Sequence, residues 1–148
     1  MITSALDGKH LTFELGTETY GIDIAYVRQI ISIIDITKIP EQPNYVKGVI
    51  NLRGEIIPIV DLRLKFGKPE KTYDEKTCII ILDVKKQSVG VIVDNVAEVI
   101  TLKNEEISDI PEFNHGTSNN FIHGIGRQKK EVFILLKCAE LVKLGITE

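Results

Sequence analysis

Apolar and polar positions alternate over Leu11-Thr12-Phe13-Glu14-Leu15, which predicts a strand with one wet face. Val46 to Ile50 and Ile56 to Val60 are denser apolar runs, and Cys78 to Leu82 predicts a strand buried on both faces. Gly16, Gly21, Gly67, Gly90 and Gly124 punctuate the pattern, and Pro40 and Pro43 mark a loop before the run at Val46. Helix is scarce. Asp61 to Phe66 predicts one or two turns with Asp61 as N-cap and Gly67 at the stop, and Ala139 to Leu144 predicts a short helix ended by Gly145. Short strands at this spacing point to small closed or nearly closed barrels, which remove the hazard of open sheet edges.

The pattern occurs twice. Tyr20-Gly21-Ile22-Asp23-Ile24 aligns with Val89-Gly90-Val91-Ile92-Val93 at an offset of 69 residues, which also places Leu11, Phe13 and Leu15 on Ile80, Leu82 and Val84. Tyr45-Val46-Lys47-Gly48-Val49 aligns with Phe121-Ile122-His123-Gly124-Ile125 at an offset of 76. Each copy has room for about five short strands, a size at which one unit alone is only marginally stable. The expected organisation is one domain over 11–142, built from subdomains at about 11–67 and 76–142, with exchange of strands between them left open. Lys68 to Glu75 reads as the connection between the copies, and Asn114 to Asn120 as a polar surface loop.

Composition narrows the function classes. With 18 basic and 21 acidic residues the net charge is −3, so no basic footprint for nucleic acid or an anionic membrane is present. Apolar runs are broken well before the ~20 residues of a membrane span, and the first residues, Met1 to Asp7, do not read as a signal peptide. A cytoplasmic location is expected. Cys78 and Cys138 lie beside apolar runs at no zinc spacing, and read as two buried thiols. His10, His115 and His123 fall in unrelated contexts, and Asp94 reads as a turn residue capping the next segment. No nucleophile, base and acid stand at a motif spacing, so no catalytic residue, metal ligand or cofactor is nominated. An interaction module is the better expectation.

The segment Tyr45 to Phe66, YVKGVINLRGEIIPIVDLRLKF, is the most informative. Two apolar runs flank the polar tip Asn51-Leu52-Arg53-Gly54-Glu55, which predicts a hairpin with Gly54 supplying a positive φ. Arg53 keeps its charge in any surroundings and must find a partner or sit at an edge. The matching tip of the second copy, Arg127-Gln128-Lys129-Lys130, is an undistinguished basic turn.

Gly48 to Arg63, GVINLRGEIIPIVDLR, resembles the signature of the CheW family of bacterial chemotaxis coupling proteins. Tyr20 to Ile24 with Val27 and Ile30, Val89 to Val96, and Phe121 to Gly126 resemble further family segments, so the likeness runs from about Leu11 to Val142. The resemblance implies a mainly β fold of two five-stranded Src-homology-3-like barrels around a pseudo-twofold axis. It also implies a non-enzymatic adaptor recruited to receptor arrays, bridging the cytoplasmic tips of chemoreceptors to the regulatory domain of the histidine kinase CheA. Val27, Ile30, Gly48, Asn51 and Arg53 match the receptor-binding groove, and substitution of Val27 or Gly48 is expected to leave the fold intact. Val27 and Ile30 have the alternative of being core, Gly48 that of being needed only for its backbone, as Gly124 recurs at the matching place, and Arg53 that of ordering the hairpin through backbone carbonyls. Phe113 matches an aromatic of a kinase-facing surface, with loop anchoring as its alternative, and Ser108 departs from a basic residue of relatives. A paralogue serving another receptor–kinase pathway and a small nucleic-acid-binding barrel are the rival functions.

Overall fold

The computed structural model describes residues 8–109 and 121–143, and these are mainly strand. In chain order come β1 (Gly8–Leu15), β2 (Glu18–Asp23), β3 (Val27–Ser32), β4 (Val46–Leu52), β5 (Glu55–Asp61), α1 (Leu62–Lys65), β6 (Cys78–Val84) and β7 (Gln87–Val93). There follow β8 (Asn95–Leu102), β9 (Ile107–Ser108), β10 (Ile122–Gln128), β11 (Glu131–Leu136) and α2 (Cys138–Leu141). None of the helices described is long and apolar enough to cross a membrane. The loop Asn114 to Asn120, Phe113, His115 and Gly145 lie outside the described residues.

The strands form two sheets, ordered β3-β6-β7-β5-β4 and β8-β1-β2-β11-β10-β9. Each sheet takes strands from both sequence copies. β6 and β7 complete the sheet of β3, β4 and β5, while β1 and β2 complete the sheet of β8, β10 and β11. The pairing repeats in detail: β5 runs parallel to β7 with Ile59 opposite Gly90, and β11 runs parallel to β2 with Leu135 opposite Gly21. Both sheets curl towards closure at matching places. Thr37 bridges to Val49 beside β4, and Ser108 of β9 pairs with Ile125 of β10.

The exchanged strands explain the densest apolar run. Ile79 and Ile81 of β6 point into the first barrel with Ile50, Ile57, Ile59 and Ile92. Ile80, Leu82 and Val84 point the other way, into a shared core with Leu11, Phe13, Leu15, Tyr20 and Ile22 from β1 and β2. A strand apolar on both faces is what a layer between two cores requires. Gly90 is needed there for space: a Cβ would stand 2.7 Å from Ile59 Cδ1 and 2.8 Å from Ile79 Cγ2.

The second barrel is lined differently. Its apolar interior is Ile100, Leu102, Phe133 and Leu135, with Ile107 at the margin. His10, Thr12 and Asp23 occupy the places that Ile79, Ile81 and Ile92 hold in the first barrel, and His10 and Thr12 are buried. Thr12 is satisfied, its hydroxyl donating to Glu98 O at 2.9 Å and accepting from Glu98 N at 3.1 Å across the β1–β8 irregularity.

Several expectations need correction. α2 starts at Cys138, one residue early, and its C-cap is Val142. Cys138 is buried but Cys78 is only half-buried, with its thiol 3.4 Å from Lys76 O. Asp94 is no simple turn cap. It accepts from Arg63 Nε and Nη2, both at 2.8 Å, and from Gly16 N at 2.8 Å, while Arg63 Nη1 donates to Pro69 O. This fork joins α1, the β1–β2 turn, the β7–β8 corner and the connection between the copies. The connection is thus held down, and Tyr73 within it donates to the buried Asp61 at 2.7 Å. His10 and His123 are not in unrelated contexts: His10 is buried and lines one pocket with His123.

Candidate partner-binding surface

The hairpin β4–β5 pairs Leu52 with Glu55 across a two-residue turn, Arg53 (φ 53°) and Gly54 (φ 89°). Positive φ at both central residues is the turn whose twist matches paired strands. Gly54 adopts it freely, whereas Arg53 does so at a cost of about 1–2 kcal/mol. That cost does not mark a functional site, because Lys85-Lys86 and Lys129-Lys130 have the same geometry. The turn is ordered by Asn51, whose Oδ1 accepts from Gly54 N at 2.8 Å. Arg53 is exposed and has no hydrogen-bond or ion-pair partner among the described residues, and none of the described backbone carbonyls accepts from it.

The end of the first barrel is braced from β3. Arg28 donates to Glu55 at 2.8 Å and to Ser88 at 3.0 Å, linking the edge strand, the hairpin tip and the start of β7. The charge-assisted bond raises the Arg28 pKa and holds Glu55 below the usual carboxylate range. Both groups face water, so the pair sets geometry more than stability. Nothing in the apolar pattern around Arg28 announced this bridge.

Val27 is half-buried against the shared core, opposite Leu82, as its counterpart Val96 is opposite Phe13. Ile30 is 41% exposed and its counterpart Val99 is 51% exposed. Ile30 is therefore a surface residue and Val27 packs with the core; the sequence alternatives separate.

Gly48 is buried at the irregularity in β4, with φ 139°. A Cβ there would meet the Thr37 carbonyl, with its carbon at 2.7 Å, and Lys38 Cα at 3.0 Å. Thr37 and Val49 exchange two backbone hydrogen bonds of 2.9 Å at this point. The expectation that Gly48 substitution leaves the fold intact is thus overturned: the residue lets the segment after β3 close the barrel. Val27, Ile30, Asn51 and Arg53 all lie on β3 or the β4–β5 hairpin, and β3 and β4 are the outer strands of one sheet. Among the described residues no three His, Cys, Asp or Glu groups converge as metal ligands would.

Paired barrels with exchanged strands, a shared apolar core and an exposed, braced hairpin end define a two-lobed β-scaffold, and known proteins share it. The CheW-like domain model matches residues 9–144. The chain is 40% identical over 132 residues to the chemotaxis protein CheW of Klebsiella aerogenes, covering 89% of this chain and 80% of that protein. It is 38% identical over 135 residues to that of Treponema pallidum, covering 88% and 79%. The crystal structure of the scaffolding protein TtCheW from Thermoanaerobacter tengcongensis superposes with a TM-score of 0.82 at 36% identity, covering 89% of this chain and 90% of that one. The chain belongs to the CheW family.

Proposed function

We propose that this protein is a non-enzymatic adaptor that couples the cytoplasmic tips of chemoreceptors to the histidine kinase CheA. It would work in the cytoplasm, recruited to receptor arrays, without a cofactor, small-molecule substrate or nucleic acid. Family membership over nearly the whole chain carries this reading. At the first barrel, Ile30 offers apolar area and Arg53 a charge that no other described side chain neutralises. A helical receptor tip laid along β3 and the hairpin meets both, with Asn51 holding the turn that presents Arg53 and Gly48 and Val27 supporting from beneath. The regulatory domain of CheA docks at a barrel end, with Phe113 as a second kinase-facing contact.

Co-sedimentation of receptor tips with CheA, with and without the protein, tests this directly. The adaptor reading requires that CheA pellets with receptors only when the protein is added, and that Arg53→Ala and Ile30→Ser reduce receptor binding while CheA binding persists. Equal CheA recovery in its absence sinks the proposal.

A further inference from the structure

The tip of the β4–β5 hairpin carries opposite charges two residues apart, Arg53 and Glu55. Both are exposed, and Arg53 is the nearest cation to Glu55 along the chain, so the two attract across the turn. They nevertheless do not pair. Glu55 Oε1 accepts from Arg28 Nη2 at 2.8 Å, and Arg28 Nη1 donates to Ser88 Oγ at 3.0 Å. Arg28 lies on β3, where it alternates with Ile30 onto the exposed face, so the carboxylate is drawn towards the barrel wall. Arg53 is left without a partner among the described residues.

The fold does not need this bridge. At the matching places the second barrel has Ala97 for Arg28, Thr19 for Ser88 and Glu131 for Glu55. No guanidinium reaches Glu131 from the place of Arg28, yet β10 and β11 close with the same two-residue turn. Lys129 (φ 50°) and Lys130 (φ 70°) form it, and Gln128 stands opposite Glu131. The Arg28 and Glu55 side chains are also 35% and 47% exposed, where an ion pair contributes little to stability. What the bridge does change is the charge at the tip: it occupies the carboxylate best placed to compete for Arg53.

We propose that Arg28 is a positioning residue for the receptor contact, holding Glu55 aside so that Arg53 stays free to pair with a carboxylate of the receptor tip. This rests on the adaptor reading above, in which Arg53 faces the receptor. Without Arg28, Glu55 turns to Arg53 and becomes a built-in competitor that the receptor carboxylate must displace. The partner group is thereby defined as an acidic side chain next to the apolar residue that meets Ile30. Charge, not a fixed backbone, is what Arg28 supplies.

The test titrates a soluble chemoreceptor cytoplasmic fragment against the full chain and its variants, with thermal melts alongside. R28Q should bind about three- to fivefold more weakly, the scale of an exposed competing ion pair, with its melt unchanged. E55Q should bind at least as well as the parent, and R28Q/E55Q should return to parent affinity. Neither the loss of a purely geometric brace nor the loss of a direct Arg28–receptor contact would be rescued in that way. R28K, which keeps the charge, should stay within about twofold of the parent. R53A separates the two readings. If R53A binds as the parent does, the assignment of Arg53 to the receptor fails and this proposal with it. If R53A binds weakly but R28Q binds as the parent, or R28Q/E55Q remains as weak as R28Q, the proposal is overturned while the role of Arg53 stands.

Discussion

The two barrels share one backbone plan and have opposite interiors. The first is closed around six buried isoleucines, whereas the second keeps His10, Thr12 and Asp23 at three of the matching places. Strand pairing, both parallel ladders and both irregularities repeat across them, so the backbone does not depend on which side chains fill the centre. The shared core carries the constraint instead. There Leu11, Phe13 and Leu15 face the place where Ile80, Leu82 and Val84 meet them, and both copies are apolar. Interiors can diverge while a pseudo-twofold contact cannot.

Substitutions that exploit this contrast should separate the lobes. Gly48→Asp should be the most damaging, costing about 3 kcal/mol or more from the forced φ and the collision with Thr37. Gly124→Ala at the matching place has no positive φ to violate and should cost far less, as chemical denaturation would show. Next, Ile79→His carries the second barrel's residue into the first and should cost about 3 kcal/mol, from lost packing and an unpaired buried nitrogen. The reverse change, His10→Ile, should cost less than about 1.5 kcal/mol, since the pocket beside it can accept the new side chain. Equal costs in urea melts would erase the distinction drawn between the interiors.

The Arg63–Asp94 fork should rank third. Burial alone would raise the Asp94 pKa, but the bonds from Arg63 and Gly16 N more than offset it and leave it below the ordinary carboxylate value. A depressed carboxylate stabilises the fold above its unfolded pKa and ceases to as pH falls through the folded one. Arg63→Met should therefore cost about 2 kcal/mol at pH 7, a partly buried charge-assisted contact. The deficit relative to the parent protein should shrink in denaturation series as pH falls below the ordinary aspartate value and through the lower folded one. Thr12→Val should cost about 1 kcal/mol through the two lost bonds to Glu98. Smallest of all, Arg53→Ala should change stability by under about 0.5 kcal/mol. Its effect belongs in receptor binding, and a large thermal shift would mean that the tip is structural.

Most of the architecture was legible in the chain. Alternation in β1, the dense run in β6 and the glycines at 21 and 90 repeat at fixed offsets because the same ladder forms twice. The dense apolar run told that β6 serves two cores, but the alternation in β1 predicted one wet face, and His10 and Thr12 on that face are buried inside the second barrel. Side-chain chemistry was less visible. Asp94 and Arg63 are 31 residues apart, and no periodicity links them. His10 and His123 meet only because β1 and β10 enter the same sheet. Gly48 was singled out for a groove, yet its φ and the nearness of Thr37 are facts of three dimensions. The exposure of Ile30 followed from the edge position of β3, which the order of strands in sequence does not disclose.

The crossing of strands between copies has a consequence for synthesis. The first barrel cannot shut until β7, ending at Val93, has left the ribosome, so β3, β4 and β5 emerge with half of their wall still unmade. β1 and β2 wait longer, until β11 arrives. A nascent chain stalled near residue 70 would consequently be an open, sticky intermediate rather than half of a finished molecule. Two separately expressed pieces divided in the connection at 68–75 should find each other and reassemble.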